Sequence, residues 1–251
     1  MIQIARAATI ALALALPQAT PAFDLTAMTE AEREAFRAEV RSYLLDNPEV
    51  LMEAIGVLEQ RQAEAQAAND SAMVRANAAD LYEAGHDWIG GNPEGDVTLV
   101  EFLDYRCGYC KRAHPEVAEL LASDGNIRLI VKEFPILGEQ SLMASRFAIA
   151  LKQVAGDAAY GQASDALMTM RADVTPESLT AIAQQVGADP DEIFVQMESP
   201  EVDAVIAANH ALAQRLEING TPSFVLGDQL LRGYLPLESM RALVEQVRDD
   251  G

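Results

Sequence analysis

Cysteine is nearly absent: the 251-residue chain has two, with three histidines and one tryptophan. Two cysteines exclude the multi-bridge framework that small secreted domains use in place of a large core. Joined to each other, Cys107 and Cys110 would close only a four-residue loop. Such a loop removes little entropy from the unfolded chain, so a stabilising staple explains the pair poorly. The histidines, His86, His114 and His210, stand far apart, and the cysteines with His114 fall one ligand short of a tetrahedral zinc set. There is no Gly-x-Ser-x-Gly elbow, no glycine-rich phosphate loop and no His-Glu-x-x-His helix, which removes the common hydrolase, nucleotide-binding and metalloprotease patterns. Basic residues are scarce as well, 18 Lys and Arg against 39 Asp and Glu, for a formal charge of −21. That balance opposes nucleic acid or an anionic membrane as a partner and favours solubility.

The first residues read as a secretory signal. Arg6 precedes an apolar stretch from Ala7 to Leu16, and Thr20-Pro21-Ala22 places small residues where a signal peptidase cuts. The expected mature chain starts at Phe23 and is periplasmic. The apolar stretch falls short of the roughly 20 residues a membrane helix needs. Export puts the cysteines in an oxidising compartment.

A capping-box pattern, Thr29-Glu30-Ala31-Glu32, opens a helix whose Phe36, Val40, Tyr43 and Leu44 share one face. Asp46-Asn47-Pro48 ends it and starts another, with Asn47 as cap and Pro48 at the first helical position. Leu51, Ile55 and Leu58 continue a stripe before polar, Gln- and Ala-rich sequence from Glu59 to Asn77. Helices this polar are marginal unless the apolar face is covered. Two covers fit: the chain's own following domain, or the same segment of another copy in a helical oligomerisation stalk.

Past the turn-rich Asn92-Pro93-Glu94-Gly95-Asp96, short apolar runs suited to buried strands appear at Val97–Leu103 and Ile127–Phe134. Tyr109 to Ser123 between them reads as a helix with Val117, Leu120 and Leu121 inward, so the two strands are expected to pair in parallel. From Leu137 to about Leu216 the pattern is helical, with breaks at Gly156, Thr175-Pro176, Asp189-Pro190 and Ser199-Pro200. Leu142, Phe147, Leu151, Ile182, Ile193 and Phe194 are expected to cover the sheet. Ser223–Leu226 and Gln229–Arg232 form a hairpin across Gly227-Asp228, and a last helix from Pro236 to Val247 turns Leu237, Met240, Leu243 and Val244 inward.

Cys107-Gly108-Tyr109-Cys110 stands where the first strand hands over to a helix, the setting of a dithiol redox pair. At the helix start, the Cys107 sulfur faces unpaired backbone amides and the positive end of the dipole, which favour its thiolate. Cys107 is then the nucleophile, and Cys110, one turn inside, resolves the mixed disulfide it forms. Disulfide exchange needs no metal and no organic cofactor. Two thiolates also suit copper(I), which leaves copper handling as a reading from another class. Glu101 is an acid in an otherwise apolar strand. Alternation puts it either inward with Leu99 and Leu103, as a proton relay to Cys110, or outward on an edge. Thr221-Pro222 opens the late strand, where proline lacks a ladder donor and suits a turn with a cis bond. His114 either points back at the sulfurs or lies on the surface before Pro115, the helix turning it away from Cys107. Tyr105 and Arg106 are expected on an exposed loop that touches clients.

Strand, Cys-Gly-Tyr-Cys, helix, long helical insertion, then Thr221-Pro222 before a hairpin and closing helix resemble the DsbA-like family of thioredoxin-fold proteins, over roughly Asn92 to Val247. The resemblance implies an α/β thioredoxin fold with a long helical insertion at about 137–216. A signal peptide over 1–22 and an N-terminal helical extension over 23–85 precede the domain at 86–251. It further implies that Pro222 is cis and faces the cysteines, that Cys107 attacks, that Glu101 tunes proton transfer and that Thr221-Pro222 docks client backbone. The partners implied are client proteins with thiols or disulfides and a membrane redox partner that recharges the pair. DsbA carries Pro-His between its cysteines; Gly108-Tyr109 offers no positive charge, which predicts a weaker oxidant. Gly-Tyr with a threonine before the proline is similar to the isomerase DsbC, and the helical extension resembles the layout of the ScsC group, some members of which oligomerise through it and reshuffle disulfides. The expected activity is thiol-disulfide exchange of isomerase or reductase type, with a DsbA-type oxidase as the alternative. Linked sites around one client raise the effective concentration of the second encounter.

Overall fold

The computed structural model describes residues 26–250; the expected signal segment, Met1–Ala22, lies outside them. No helix among the described residues is long and apolar enough to cross a membrane. The chain divides into two compact units, Met1–Gln60 and Arg61–Gly251.

In the first unit, α1 spans Glu30–Asp46 behind the expected capping box, the Thr29 amide donating to the Glu32 carboxylate at 2.8 Å. Helix α2 then runs unbroken from Glu49 to Ala76. Asn47 does not cap α2 with its side chain. Its backbone N–H and its amide both donate to the Tyr43 carbonyl, at 2.9 and 2.8 Å, so it closes α1 instead. Phe36, Val40, Tyr43, Leu51, Ile55 and Leu58 are all exposed, between 40 and 54%.

The second unit holds a five-stranded sheet ordered β1-β3-β2-β4-β5, with β1 at Trp88–Gly91, β2 at Val97–Leu103, β3 at Ile127–Glu133, β4 at Ser223–Leu226 and β5 at Gln229–Arg232. β2 and β3 pair in parallel, Glu101 beside Val131 and Leu103 beside Glu133; the other pairs are antiparallel. Helix α4 (Gly108–Asp124) connects β2 to β3, and the insertion is five helices, α5 (Glu139–Ala155) to α9 (Pro200–Arg215). Thr175, Asp189 and Ser199 cap α7 (Pro176–Gln185), α8 (Pro190–Met197) and α9, each with proline at the start. The β4–β5 turn is a two-residue one in which Gly227 takes the left-handed conformation (φ 60°) that its first position requires.

Both faces of the sheet are covered. Leu99, Leu103, Leu129 and Val131 pack with α4, the insertion and α10 (Leu237–Asp250). Val100, Phe102 and Ile130 pack with Val74 of α2, Leu81 of α3 (Ala78–Tyr82), Leu212 of α9 and Leu216 just after it. Residues 61–85 of the expected extension thus supply part of this unit's core. Arg232 clamps the end of α2 to β5 with two bonds to Asp70, at 2.8 and 2.9 Å. Phe147, Leu151, Ile182 and Ile193 are buried as expected, but Leu142 is not: it faces outward at 37% exposure. Strand β1 has no counterpart in the sequence reading.

Candidate active site

Cys107 is the N-cap of α4, with extended backbone (φ −74°, ψ 118°), so its sulfur sits over the open amides of the first turn. It is 7% exposed and Cys110, one turn on, is fully buried; both are free thiols. The asymmetry follows. A hydrogen bond from the Cys110 thiol is the first cause holding the Cys107 thiol down to about 5, followed by Thr221 and the Cys110 and Tyr109 amides, against the opposing effect of burial. That same bond and burial push Cys110 far up, with the nearby Glu101 adding to the rise.

Thr221-Pro222 is cis and lies against this pair: the Thr221 carbonyl accepts from the Cys107 thiol at 3.1 Å. The proline opens β4, whose Ser223 and Phe224 pair with Phe102 and Glu101. The five residues singled out in sequence, Cys107, Cys110, Glu101, Thr221 and Pro222, therefore converge on one edge of β2 and the start of α4.

Glu101 points inward, 4% exposed, on the sheet face that packs against the cysteines. Burial raises its carboxyl to about 8, helped by the charge of Glu133. Sequence reasoning missed two further buried acids. Asp104, with no exposed surface, accepts from the amides of Arg106 at 2.7 Å, Ile136 at 2.8 Å and Leu137 at 3.1 Å, tying the active-site loop to the chain after β3. Glu133, the last residue of β3, accepts from the hydroxyls of Tyr105, Tyr160 and Ser145, and burial raises it to about 7. Their signal was a charge inside or next to an apolar strand, the one that pointed to Glu101.

Tyr105 is not on an exposed loop. It is 1% exposed, and its hydroxyl is committed to Glu133 at 2.7 Å. Arg106 does face outward, paired with Asp173. His114 turns away from the sulfurs to Asp165 at 3.0 Å, His86 lies by Asp87, and His210 packs on Phe134. Among the described residues no three His, Cys, Asp or Glu side chains gather as a metal site. Tyr109, 60% exposed, forms an aromatic surface beside Cys107 with Tyr234, whose ring carries the Arg112 guanidinium at 4.3 Å.

These shifts fix a stability trend. Cys107 titrates lower folded than unfolded, so its contribution to the reduced protein is lost as pH falls through about 5 and is complete only above the ordinary thiol value. Cys110 is shifted the other way and begins to oppose only above its own ordinary value, near 9. Glu101 and Glu133, raised to about 8 and 7, favour the folded state below their ordinary value and lose that benefit as pH rises. Urea denaturation should therefore show the stability of the reduced protein, relative to the oxidised one, rising between about pH 5 and 9. A difference that is flat or falls over that range contradicts the thiolate assignment.

Residues 83–246 match the family described as Thioredoxin, and residues 32–65 match the Copper resistance protein ScsC N-terminal domain. A thioredoxin-like oxidoreductase from Silicibacter pomeroyi DSS-3 is 42% identical; the alignment covers 68% of this chain and 97% of that one, with a TM-score of 0.63. Proteus mirabilis ScsC in a transitional conformation is 25% identical over 91% of this chain and 100% of that one, with a TM-score of 0.65. The Na(+)/H(+) antiporter NhaA 1 of Salinispora arenicola is 28% identical over 159 residues, 63% of this chain. The chain spans about a quarter of the length of the antiporter relatives it matches, 24% for that protein. The chain belongs to the thioredoxin family, in the DsbA-like form that carries an ScsC-type N-terminal segment.

Proposed function

We propose that this chain is an exported, periplasmic thiol-disulfide oxidoreductase that reshuffles or reduces disulfides in client proteins. The observation that carries the reading is the asymmetric pair: a low-pKa sulfur, 7% exposed, at the start of α4 beside a cis-proline edge, with a fully buried partner one turn inside. In the reductive direction the Cys107 thiolate attacks a client sulfur, the client S–S bond breaks and one client sulfur leaves as a thiolate, giving a mixed disulfide. Cys110 then loses its proton and attacks Cys107, and the client leaves with both sulfurs reduced while the pair is oxidised by two electrons. In isomerisation a client thiolate attacks the mixed disulfide instead, and Cys107 leaves reduced. Glu101 is the proton relay, taking the Cys110 proton in the reductive direction and returning one when the active-site disulfide is reopened; in isomerisation Cys110 keeps its proton. A membrane redox partner resets the pair, and Thr221-Pro222 docks client backbone.

The isomerase reading draws on the first unit. The exposed stripe of Phe36, Val40, Tyr43, Ile55 and Leu58 suits a second copy of the same segment, the part of the 23–85 extension before Arg61 serving as the assembly device. Linked sites then meet one client repeatedly. The test is reactivation of scrambled ribonuclease in a glutathione buffer, with Phe36→Asp/Ile55→Asp beside the parent chain. The parent should sediment as an oligomer and restore activity. The variant should be monomeric, keep its exchange rate with a small disulfide and lose most of the reactivation. A monomeric parent refutes the assembly. Oxidation of reduced ribonuclease without reactivation assigns the oxidase alternative.

A second reading, copper(I) held by the two reduced sulfurs, is favoured by the copper-resistance description of the family matched at residues 32–65. It requires binding that vanishes when the pair is oxidised, without exchange activity.

A further inference from the structure

We propose that Glu133 is a positioning residue of this site: the acid of a buried pair that takes the charge first, leaving the proton on Glu101. The inference rests on the reading of Glu101 as proton relay and deepens it.

The sheet brings the two acids together. Glu101 pairs with Val131 and Leu103 with Glu133, so Glu133 is a diagonal neighbour of Glu101 on the adjacent strand. Alternation puts both on the face that packs against α4. Strand spacing and a two-residue rise set their Cβ atoms about 8 Å apart. Both are buried, at 4 and 3% exposure.

Their surroundings differ in one respect. Glu133 accepts three hydroxyl hydrogen bonds: Tyr105 at 2.7 Å and Tyr160 at 2.6 Å on one oxygen, Ser145 at 2.7 Å on the other. Three O–H groups aimed at one carboxyl favour its acceptor-only, ionised form. No side-chain hydrogen bond to the Glu101 carboxyl is found among the described residues. Two like charges on neighbouring buried strands disfavour each other, so the first proton goes to the acid without donors.

Nothing else facing the pair reverses this. α4 contributes the cysteines, and its Lys111 is bound to the Leu167 and Met170 carbonyls. The active-site loop contributes Tyr105 and Asp104; the Asp104 charge raises Glu133, opposed by the three hydroxyl donors, and its oxygens accept from backbone amides. α6 (Asp157–Thr169) supplies Tyr160, α5 supplies Ser145, β4 presents Phe224, and α10 brings Met240 and Val244. Lys132, the buried cation of β3, lies on the opposite face, held by Asp87 and the Asp80 carbonyl. A protonated Glu101 matches the step in which Cys110 departs from the active-site disulfide: the proton moves from the Glu101 oxygen to the Cys110 sulfur, and solvent restores it.

The test is a carbon-13 NMR titration of the glutamate carboxyls in the reduced full chain, with Glu101 assigned through Glu101→Gln. In Glu133→Gln the Glu101 midpoint should fall by about one pH unit, the like charge having gone. Tyr160→Phe keeps both carboxyls and removes one donor, so Glu133 should titrate higher and Glu101 lower; this variant decides the matter if Glu133→Gln does not fold. A Glu101 midpoint unmoved in the folded variants overturns the proposal. Because the readout is the proton itself, it separates from turnover: shifted midpoints with a Glu101→Gln enzyme as fast as the parent would uphold the pairing and overturn the relay.

Discussion

Cys110→Ser is expected to trap the protein on its clients. Cys107 still attacks, because a serine hydroxyl supplies the hydrogen bond that is the largest cause of its low pKa. Without a second sulfur the mixed disulfide has no internal route to resolve, so covalent adducts should accumulate that run as discrete heavier species without reductant and collapse with it. Cys110→Ala should trap more slowly at acidic pH, since it removes the donor and lets Cys107 rise toward the ordinary thiol value. Cys107→Ser removes the nucleophile and leaves a buried sulfur whose thiolate is strongly disfavoured. An ordinary thiol is only about 3% ionised at pH 7, and Cys110 far less, so exchange should drop on the order of a hundredfold or more, to the uncatalysed background. Adducts formed by Cys107→Ser, or none by Cys110→Ser, would reverse the roles.

Asp104→Ala carries the largest expected loss of stability. The side chain has no exposed surface and accepts from three backbone amides in two loops that flank the site. Alanine leaves those donors without partners in the interior. At 1.5–3 kcal/mol for a hydrogen bond to a charged group, partly recovered by entering water, the cost is about 4 kcal/mol. For a unit of this size that lowers Tm by about 12 °C. Asp104→Asn keeps one carbonyl oxygen and should recover roughly half, a comparison that separates hydrogen bonding from packing. A loss below about 1 kcal/mol for alanine would mean that the amides find other partners.

Much of this was legible because it depends on local chemistry. Thr175, Asp189 and Ser199 ahead of their prolines announced three helix starts, and Gly227-Asp228 announced the hairpin. The cysteine pair and Glu101 stood out as polar residues in or just after an apolar strand. What was hidden depends on partners distant in sequence. Strand β1 is four residues, two of them glycine, with no alternation to read; it is held by pairing with β3 and by Trp88, which stacks on Tyr160 at 5.2 Å. Tyr105 looked like a loop residue until the insertion supplied Tyr160 and Ser164 around its hydroxyl. Asn47 fits either end of a helix break by composition, and only the Tyr43 carbonyl decides which. Glu133 carried the same strand signal as Glu101, but its setting was hidden because its three hydroxyl partners lie 12 to 28 residues away in the chain.

The central claim is that the two sulfurs differ in kind, and alkylation of the reduced protein across pH measures it directly. With iodoacetamide and intact-mass detection, the account predicts one modification, at Cys107, with a rate midpoint near pH 5 and Cys110 untouched in the folded protein. Two modifications appearing together with a midpoint near 9 would contradict it.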